Sequence, residues 1–197
     1  AESDERVQLL MGTTARVKVW ASDSAHCDLA INAAFEAFVA VDREMSTYRT
    51  DSQLTRLNRE GSRQWVPIGK SLMDVLSASI QFSRLTAGAF DPTVFPLVRL
   101  WGFRSHDPRL PTNEDIAEAL KATGIRHLLL GTEGRRARFR TQKVSLDLGG
   151  IAKGYALDIA RDAAIEAGAS AGLLDLGGNL VSFGESAQGL VAIQHPT

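Results

Sequence analysis

Leu146-Asp147-Leu148-Gly149-Gly150 runs directly into Ile151-Ala152-Lys153-Gly154-Tyr155, and its pentapeptide recurs as Leu174-Asp175-Leu176-Gly177-Gly178. Each copy reads as a strand end that breaks into a glycine turn, presenting an acid and backbone without side chains. The two turns are expected to be walls of one ligand site. A helical pattern follows the first copy, so amides, a lysine and a helix N-terminus are expected to converge beside Asp147. Unpaired amides and a helix dipole attract anions, which favours a phosphate-bearing ligand with a metal. Lys153 falls in the first helical turn, where a cation opposes the dipole at a cost of about half a kcal/mol unless an anion is also present. An ion pair to Asp147 or Asp158 is the alternative reading. Gly150 and Gly154 permit close backbone approach, although Gly149-Gly150 also reads as a plain tight turn.

Working outward, Ala15, Val17, Val19 and Ala21 alternate with Arg16, Lys18 and Trp20, the period of a half-buried strand. Ile31, Ala34, Phe35 and Phe38 form a helical stripe that ends near Glu44. Ser71 is expected to cap a helix with the stripe Leu72, Val75, Leu76 and Ile80, and Gly88 to supply its left-handed exit. A third helix starts after Thr112, with Glu114 and Asp115 in its first turn and Lys121 in its last, and Gly124 is read as its C′ residue. Leu128–Leu130, Ala137–Arg140, Val144–Leu148 and Leu173–Leu176 read as strands, and a helix spans about Ile151–Ala167, closed by Gly168. The widest loop is read at Ser105–Pro111. Strands and helices mix without regular alternation, so the class is α+β, with mixed or antiparallel sheets packed with helices, in one domain over 1–197.

With 197 residues, 44% of them apolar, the chain can bury one substantial core and reads as a soluble globular protein. No apolar run approaches the roughly 20 residues that span a bilayer. A net charge of −1 supplies no field for steering toward nucleic acid or an anionic membrane. Cys27 is the sole cysteine, which excludes an internal disulfide and a cysteine-based zinc cluster. His26, His106, His127 and His195 lack metal-binding spacing and read as surface or loop residues. Arg135-Arg136-Ala137-Arg138-Phe139-Arg140, after a Glu133-Gly134 hairpin turn, reads as edge protection on a solvent-facing strand rather than a nucleic-acid patch.

Beyond the opening stretch, Met11-Gly12-Thr13, Met45-Ser46-Thr47-Tyr48-Arg49 and Thr86 to Pro96 hold residues that a core does not require, each at an element end. In Thr86-Ala87-Gly88-Ala89-Phe90-Asp91-Pro92-Thr93, Pro92 forces Asp91 into an extended conformation and so aims its carboxylate. Asp91 reads equally as a ligand contact or an Asx-turn residue. Tyr48 reads equally as a platform for a flat ring or as core packing, and Asp51-Ser52 with Leu54 and Leu57 as the start of a short helix.

In this order, Met-Gly-Thr, Met-Ser-Thr-Tyr-Arg-x-Asp-Ser, Thr-x-Gly-Ala-Phe-Asp-Pro-Thr, Asp-Leu-Gly-Gly-Ile-Ala-Lys-Gly-Tyr-Ala and Leu-Gly-Gly-Asn resemble the ApbE family, the FAD:protein FMN transferases. The resemblance runs from Met11 to about Pro196 and implies an ApbE-like, T-fold-like α+β architecture. It implies a periplasmic enzyme, anchored at the inner membrane in some forms, that splits FAD with Mg²⁺, transfers FMN to a Thr or Ser hydroxyl of a target protein and releases AMP. The implied acceptor is a subunit of a membrane redox complex. Carried over by motif, Met11 and Tyr48 line the flavin, Ala89, Phe90 and Asp91 contact FAD, and Asp147 and Lys153 hold its polar groups. The resemblance further implies that Asp147 and Lys153 are the catalytic pair and that the Gly150 carbonyl is a magnesium ligand.

Family members usually continue to an Asp-x-x-x-Thr motif that supplies other magnesium ligands, whereas this sequence stops at Thr197. The chain therefore reads as C-terminally truncated relative to the family. The expected explanations are a fragment, complementation by another polypeptide, or flavin binding without transfer. The alternatives to a transferase are a flavin-binding module or a FAD pyrophosphatase that releases FMN and AMP without a protein acceptor, and, last, a purely structural partner.

Overall fold

The computed structural model describes residues 1–105, 108–131 and 133–187. These contain seven strands, β1 (Glu2–Leu10), β2 (Thr13–Ala21), β3 (Val66–Pro67), β4 (Leu128–Gly131), β5 (Arg136–Phe139), β6 (Ala171–Leu176) and β7 (Asn179–Phe183). The helices are α1 (Ser24–Met45), α2 (Gln53–Glu60), α3 (Lys70–Leu85), α4 (Phe95–Leu100), α5 (Asn113–Lys121) and α6 (Ala152–Glu166), with short 3-10 turns at Pro92–Val94, Ile125–His127 and Glu185–Ala187. The class is α+β, and both sheets are wholly antiparallel. Two compact units result: residues 1–40 with the described residues from 153 on, and residues 41–152. None of the described helices is long and apolar enough to cross a membrane.

The first unit is built on the sheet β1-β2-β6-β7. The alternation read in β2 is real: Ala15, Val17, Val19 and Ala21 are buried, as are Leu174 and Leu176 of β6. Helix α1 buries Cys27, Ala30, Ile31, Ala34 and Phe38, and α6 buries Ala156, Ala160 and Ala164 at every fourth position. Arg6 of β1 ties the sheet to α1 through Asp28 and Asn32. Asp23 caps α1 by accepting from His26 N at 3.0 Å, and its hydrogen bonds to His26 hold its carboxyl down at about 2. His26 is thus a surface partner of Asp23, while His106 and His195 lie outside the described residues.

The second unit carries the small sheet β3-β5-β4 among helices α2 to α5. Ser52 caps α2, accepting from Thr55 N at 3.0 Å, and Leu54 and Leu57 are buried, as their spacing requires. Thr112 begins α5 with a full capping box to Asp115.

Four expectations need correction. Ser71 does not cap α3: the helix starts at Lys70, two residues earlier than a Ser71 cap requires, after Gly69, whose amide donates to Gln53 Oε1 at 2.6 Å. No side chain caps the first turn of α3. The cap of α5 is Ala122, and Gly124 instead opens the 3-10 turn at φ 128°. Strand β5 is central in its sheet, so its arginines protect no edge; Arg136 lies over the Trp65 ring at 5.0 Å. Val144–Leu148 forms no strand and pairs with none, and Asn58 holds the Leu146 backbone instead.

The exit of α3 is left-handed, as Gly88 suggested, but the first left-handed residue is Ala87 at φ 50°, followed by Gly88 at φ 86°. Ala87 N donates to Arg84 O and Gly88 N to Ser83 O, the paired bonds of a Schellman motif. A side chain in that conformation is strained. Ala87→Gly is therefore expected to stabilise the protein by about 0.5–1 kcal/mol. A chemical-denaturation midpoint that fails to rise would show that the strain is relieved elsewhere.

Candidate functional site

Every polar side chain in the Thr86–Thr93 motif is engaged in hydrogen bonds, within the loop or to the 3-10 turn at Ile125. Thr86 Oγ1 donates to Phe82 O at 2.8 Å and accepts from Phe90 N at 3.0 Å. Asp91 is extended, at φ −145° and ψ 114°, as Pro92 dictates. Its Oδ1 accepts from Thr93 N at 2.8 Å and from Thr93 Oγ1 at 2.6 Å, and its Oδ2 from Ile125 N at 3.0 Å. Thr93 Oγ1 in turn accepts from Gly124 N at 2.6 Å. Asp91 is thus an Asx-turn residue that also cross-links the loop to the 3-10 turn at Ile125. The result is a fixed loop that presents exposed Ala89 and half-buried Phe90.

Against this loop lies Val144–Gly150. Asp147 N donates to Pro92 O at 2.8 Å, and a Cβ placed on Gly150 would stand 3.3 Å from the Phe90 ring. Asp91, Phe90, Asp147 and Gly150 are therefore neighbours. The missing strand partner is the side chain of Asn58 on α2. Asn58 Oδ1 accepts from Leu146 N at 2.7 Å and Nδ2 donates to Leu146 O at 2.9 Å, so one amide side chain does the work of a ladder residue. Leu146 is fully buried, which leaves those groups no water to bond. Asp147 Oδ1 accepts from Gly149 N at 2.7 Å, and among the described residues no other hydrogen bond reaches this carboxylate. Gly149 and Gly150 are exposed.

Tyr48 is no core residue: it is 78% exposed. Arg104 lies over its ring at 3.5 Å and over Phe95 at 5.5 Å, and donates to Thr47 O at 2.7 Å. Ser52 and Thr55 hydroxyls fix the same loop through Ser46 O and Arg49 O, both at 2.7 Å. The Arg49 guanidinium, bonded to Asp51, holds that carboxyl below its ordinary range.

The remaining candidates belong to the first unit. Met11, at φ 52°, and Gly12, at φ 71°, form the two-residue turn of the β1-β2 hairpin. The second pentapeptide ends in a similar turn, Gly177 at φ 61° and Gly178 at φ 84°, closed by Asp175 Oδ1 accepting from Gly178 N at 2.8 Å. Both turns stand at one end of the sheet: Gly177 N donates to Thr14 O at 3.0 Å, and a Cβ on Gly177 would lie 2.5 Å from Thr13 Oγ1. The two pentapeptides thus fall in different units, and each aspartate first serves its own glycine turn. Lys153 is in the first turn of α6, as read, and makes no ion pair among the described residues. Gly154 beside it is exposed, with open space where a Cβ would stand.

No group of three or more His, Cys, Asp or Glu side chains among the described residues is placed to hold a metal. The donors present, an exposed Gly150 carbonyl and the Asp147 carboxylate, suit a magnesium ion that shares its shell with waters and substrate phosphate rather than one in an all-protein cage. Asn58 and Arg104 are the residues that sequence reading missed. An asparagine inside a helix, where its propensity is poor, is a signal that its side chain is engaged elsewhere; Arg104 carries no local signal.

The model of the ApbE family matches residues 11–197. A FAD:protein FMN transferase of Klebsiella pneumoniae is 35% identical over 195 residues, which is 95% of this chain and 55% of that protein. One from Escherichia coli K12 is 36% identical over 166 residues, 80% of this chain and 47% of the relative. Among solved structures, the ApbE protein of Thermotoga maritima superposes with a TM-score of 0.85 at 32% identity, covering 92% of this chain and 59% of that one. The apo flavinyl transferase ApbE of Pseudomonas stutzeri gives 0.84 at 30% identity, covering 93% and 58%. The chain spans about half the length of the curated relatives it matches. With its motifs, its fold and the family model in agreement over nearly its whole length, the chain belongs to the ApbE family.

Proposed function

We propose that this chain carries the FAD-handling part of a magnesium-dependent transferase that moves FMN from FAD to a Thr or Ser hydroxyl of a target protein. The observation that carries the reading is the rigid surface made by Thr86–Thr93 and Leu146–Gly150, whose loop polar groups are already satisfied and whose exposed backbone remains for a ligand. The acceptor oxygen attacks the phosphorus of the FMN half, the P–O bond to the AMP half breaks, and the hydroxyl proton is lost as AMP departs. Such a transfer depends on alignment and on stabilising charge that moves to the leaving oxygen. Lys153 supplies positive charge at the N-terminus of α6, and Gly154 leaves room for a phosphate to approach. Asp147 orients either the acceptor hydroxyl or a metal-bound water. Gly150 O and Asp147 would hold magnesium, which neutralises phosphate charge when bound. Tyr48, backed by Arg104, offers a ring on which the flavin stacks. An acceptor in a membrane redox complex and a periplasmic location are proposed from family membership.

FAD titration with and without Mg²⁺, followed by flavin fluorescence with AMP assayed in the same samples, tests the proposal. Binding with magnesium-dependent AMP release, and flavin covalently on an added acceptor, supports transfer. AMP release to water without labelling would identify a hydrolase, and no flavin binding would end the proposal. Met11 offers a further check, since a methionine at φ 52° is strained where asparagine is at ease. Met11→Asn is expected to stabilise the hairpin by about 0.5 kcal/mol while weakening FAD binding. Stabilisation with unchanged FAD affinity would remove Met11 from the flavin site.

A further inference from the structure

Of the run of arginines that ends at Arg140, only Arg140 lines a cavity of the second unit. Arg140 opens onto a cavity of about 660 Å³ in the second unit, together with Arg84 from the end of α3, Arg126 and His127 from the 3-10 turn, Thr141 and an apolar wall that includes Ile80. No aspartate or glutamate lines this cavity, and none of the three arginines has an ion pair among the described residues. Exposed guanidinium groups gathered where no carboxylate lines the cavity create a local positive potential that attracts an anion. The geometry is braced: Arg140 Nε donates to Arg126 O at 3.0 Å and Arg140 N to His127 O at 2.9 Å, which points one guanidinium from a fixed base. His127 Nε2 is buried without a hydrogen-bond partner among the described residues. Burial, and then the Arg126 charge, push its pKa below the ordinary value, so the cluster keeps its positive charge on the guanidinium groups.

We propose that this cavity is a second ligand site, distinct from the flavin surface, that binds a small organic phosphate through Arg84, Arg126 and Arg140. Several guanidinium forks match a dianionic, many-oxygen group better than a single carboxylate, which one arginine satisfies. The Thr141 hydroxyl adds a neutral donor. The apolar wall and the volume, within the usual range for small-molecule pockets, favour a phosphate that carries an organic body over inorganic phosphate.

Phenyl phosphate and inorganic phosphate, titrated at constant ionic strength against chloride, test the assignment, with the ring signals of His127 followed by NMR. Phenyl phosphate is expected to bind more tightly than inorganic phosphate and to shift the His127 signals. Arg84→Gln and Arg126→Gln, both at exposed positions, are each expected to weaken it about tenfold and to leave FAD binding unchanged. Equal response to chloride, or unchanged affinity in both variants, overturns the site. Tighter binding of inorganic phosphate than of phenyl phosphate overturns the organic-phosphate assignment.

Discussion

Replacing Asn58 by alanine is expected to lower the unfolding free energy by about 3 kcal/mol, because it strands two backbone groups of Leu146 that have no access to water. Each lost partner costs about 1–3 kcal/mol when the group left behind is buried. Urea unfolding of the variant measures the loss directly. Asn58→Asp is a sharper control. It keeps the acceptor for Leu146 N but sets a carboxylate against Leu146 O, so it should rescue little or nothing. A loss under about 1 kcal/mol in the alanine variant would mean that Leu146 is held by packing, not by the amide clamp. Since Asp147 and Gly150 follow directly, the alanine variant should also weaken FAD binding under conditions where the chain is still folded.

Lys153→Ala is expected to reduce FAD turnover by about 10², equivalent to about 2.7 kcal/mol in the barrier. The same substitution should leave stability unchanged or raise it by up to about 0.5 kcal/mol, because it removes a cation from the positive end of α6 and breaks no ion pair among the described residues. These two signs separate a functional lysine from a structural one. Unchanged AMP release would remove Lys153 from the mechanism, whereas a loss of turnover matched by a loss of stability would make it a structural residue. Arginine at 153 keeps the charge but spreads it over a planar fork, and partial activity is expected.

Local rules made much of the fold legible. Alternation announced β2, the apolar stripe announced α1, and Thr112 with Asp115 announced α5, since each depends only on residues a few positions apart. Pro92 alone was enough to extend Asp91, and the chain order alone put Lys153 in the first turn of α6. The motif residues were also legible as a set, because their order and spacing are properties of the sequence.

What those residues do was decided by partners far away in the chain. Asp91 read equally as ligand contact or turn residue until Ile125 N, 34 positions on, took its second oxygen. Tyr48 read equally as core or platform, and the fold leaves it exposed with Arg104, 56 positions on, over its ring. Helix α3 starts after Gly69, whose amide Gln53 holds, with no side-chain cap, and Val144–Leu148 pairs with no strand while Asn58, 88 positions from Leu146, supplies both backbone bonds of that residue. The doubled Leu-Asp-Leu-Gly-Gly shows the division most directly. By itself the pentapeptide determined an acid and a glycine turn closed by that acid in both places. Only tertiary structure made one copy a ladder strand with a left-handed hairpin turn, paired to β2 and β7, and the other an unpaired segment leading into a helix. Glycine accepts either backbone, so the choice passes to whatever buried hydrogen-bond partner the rest of the chain provides.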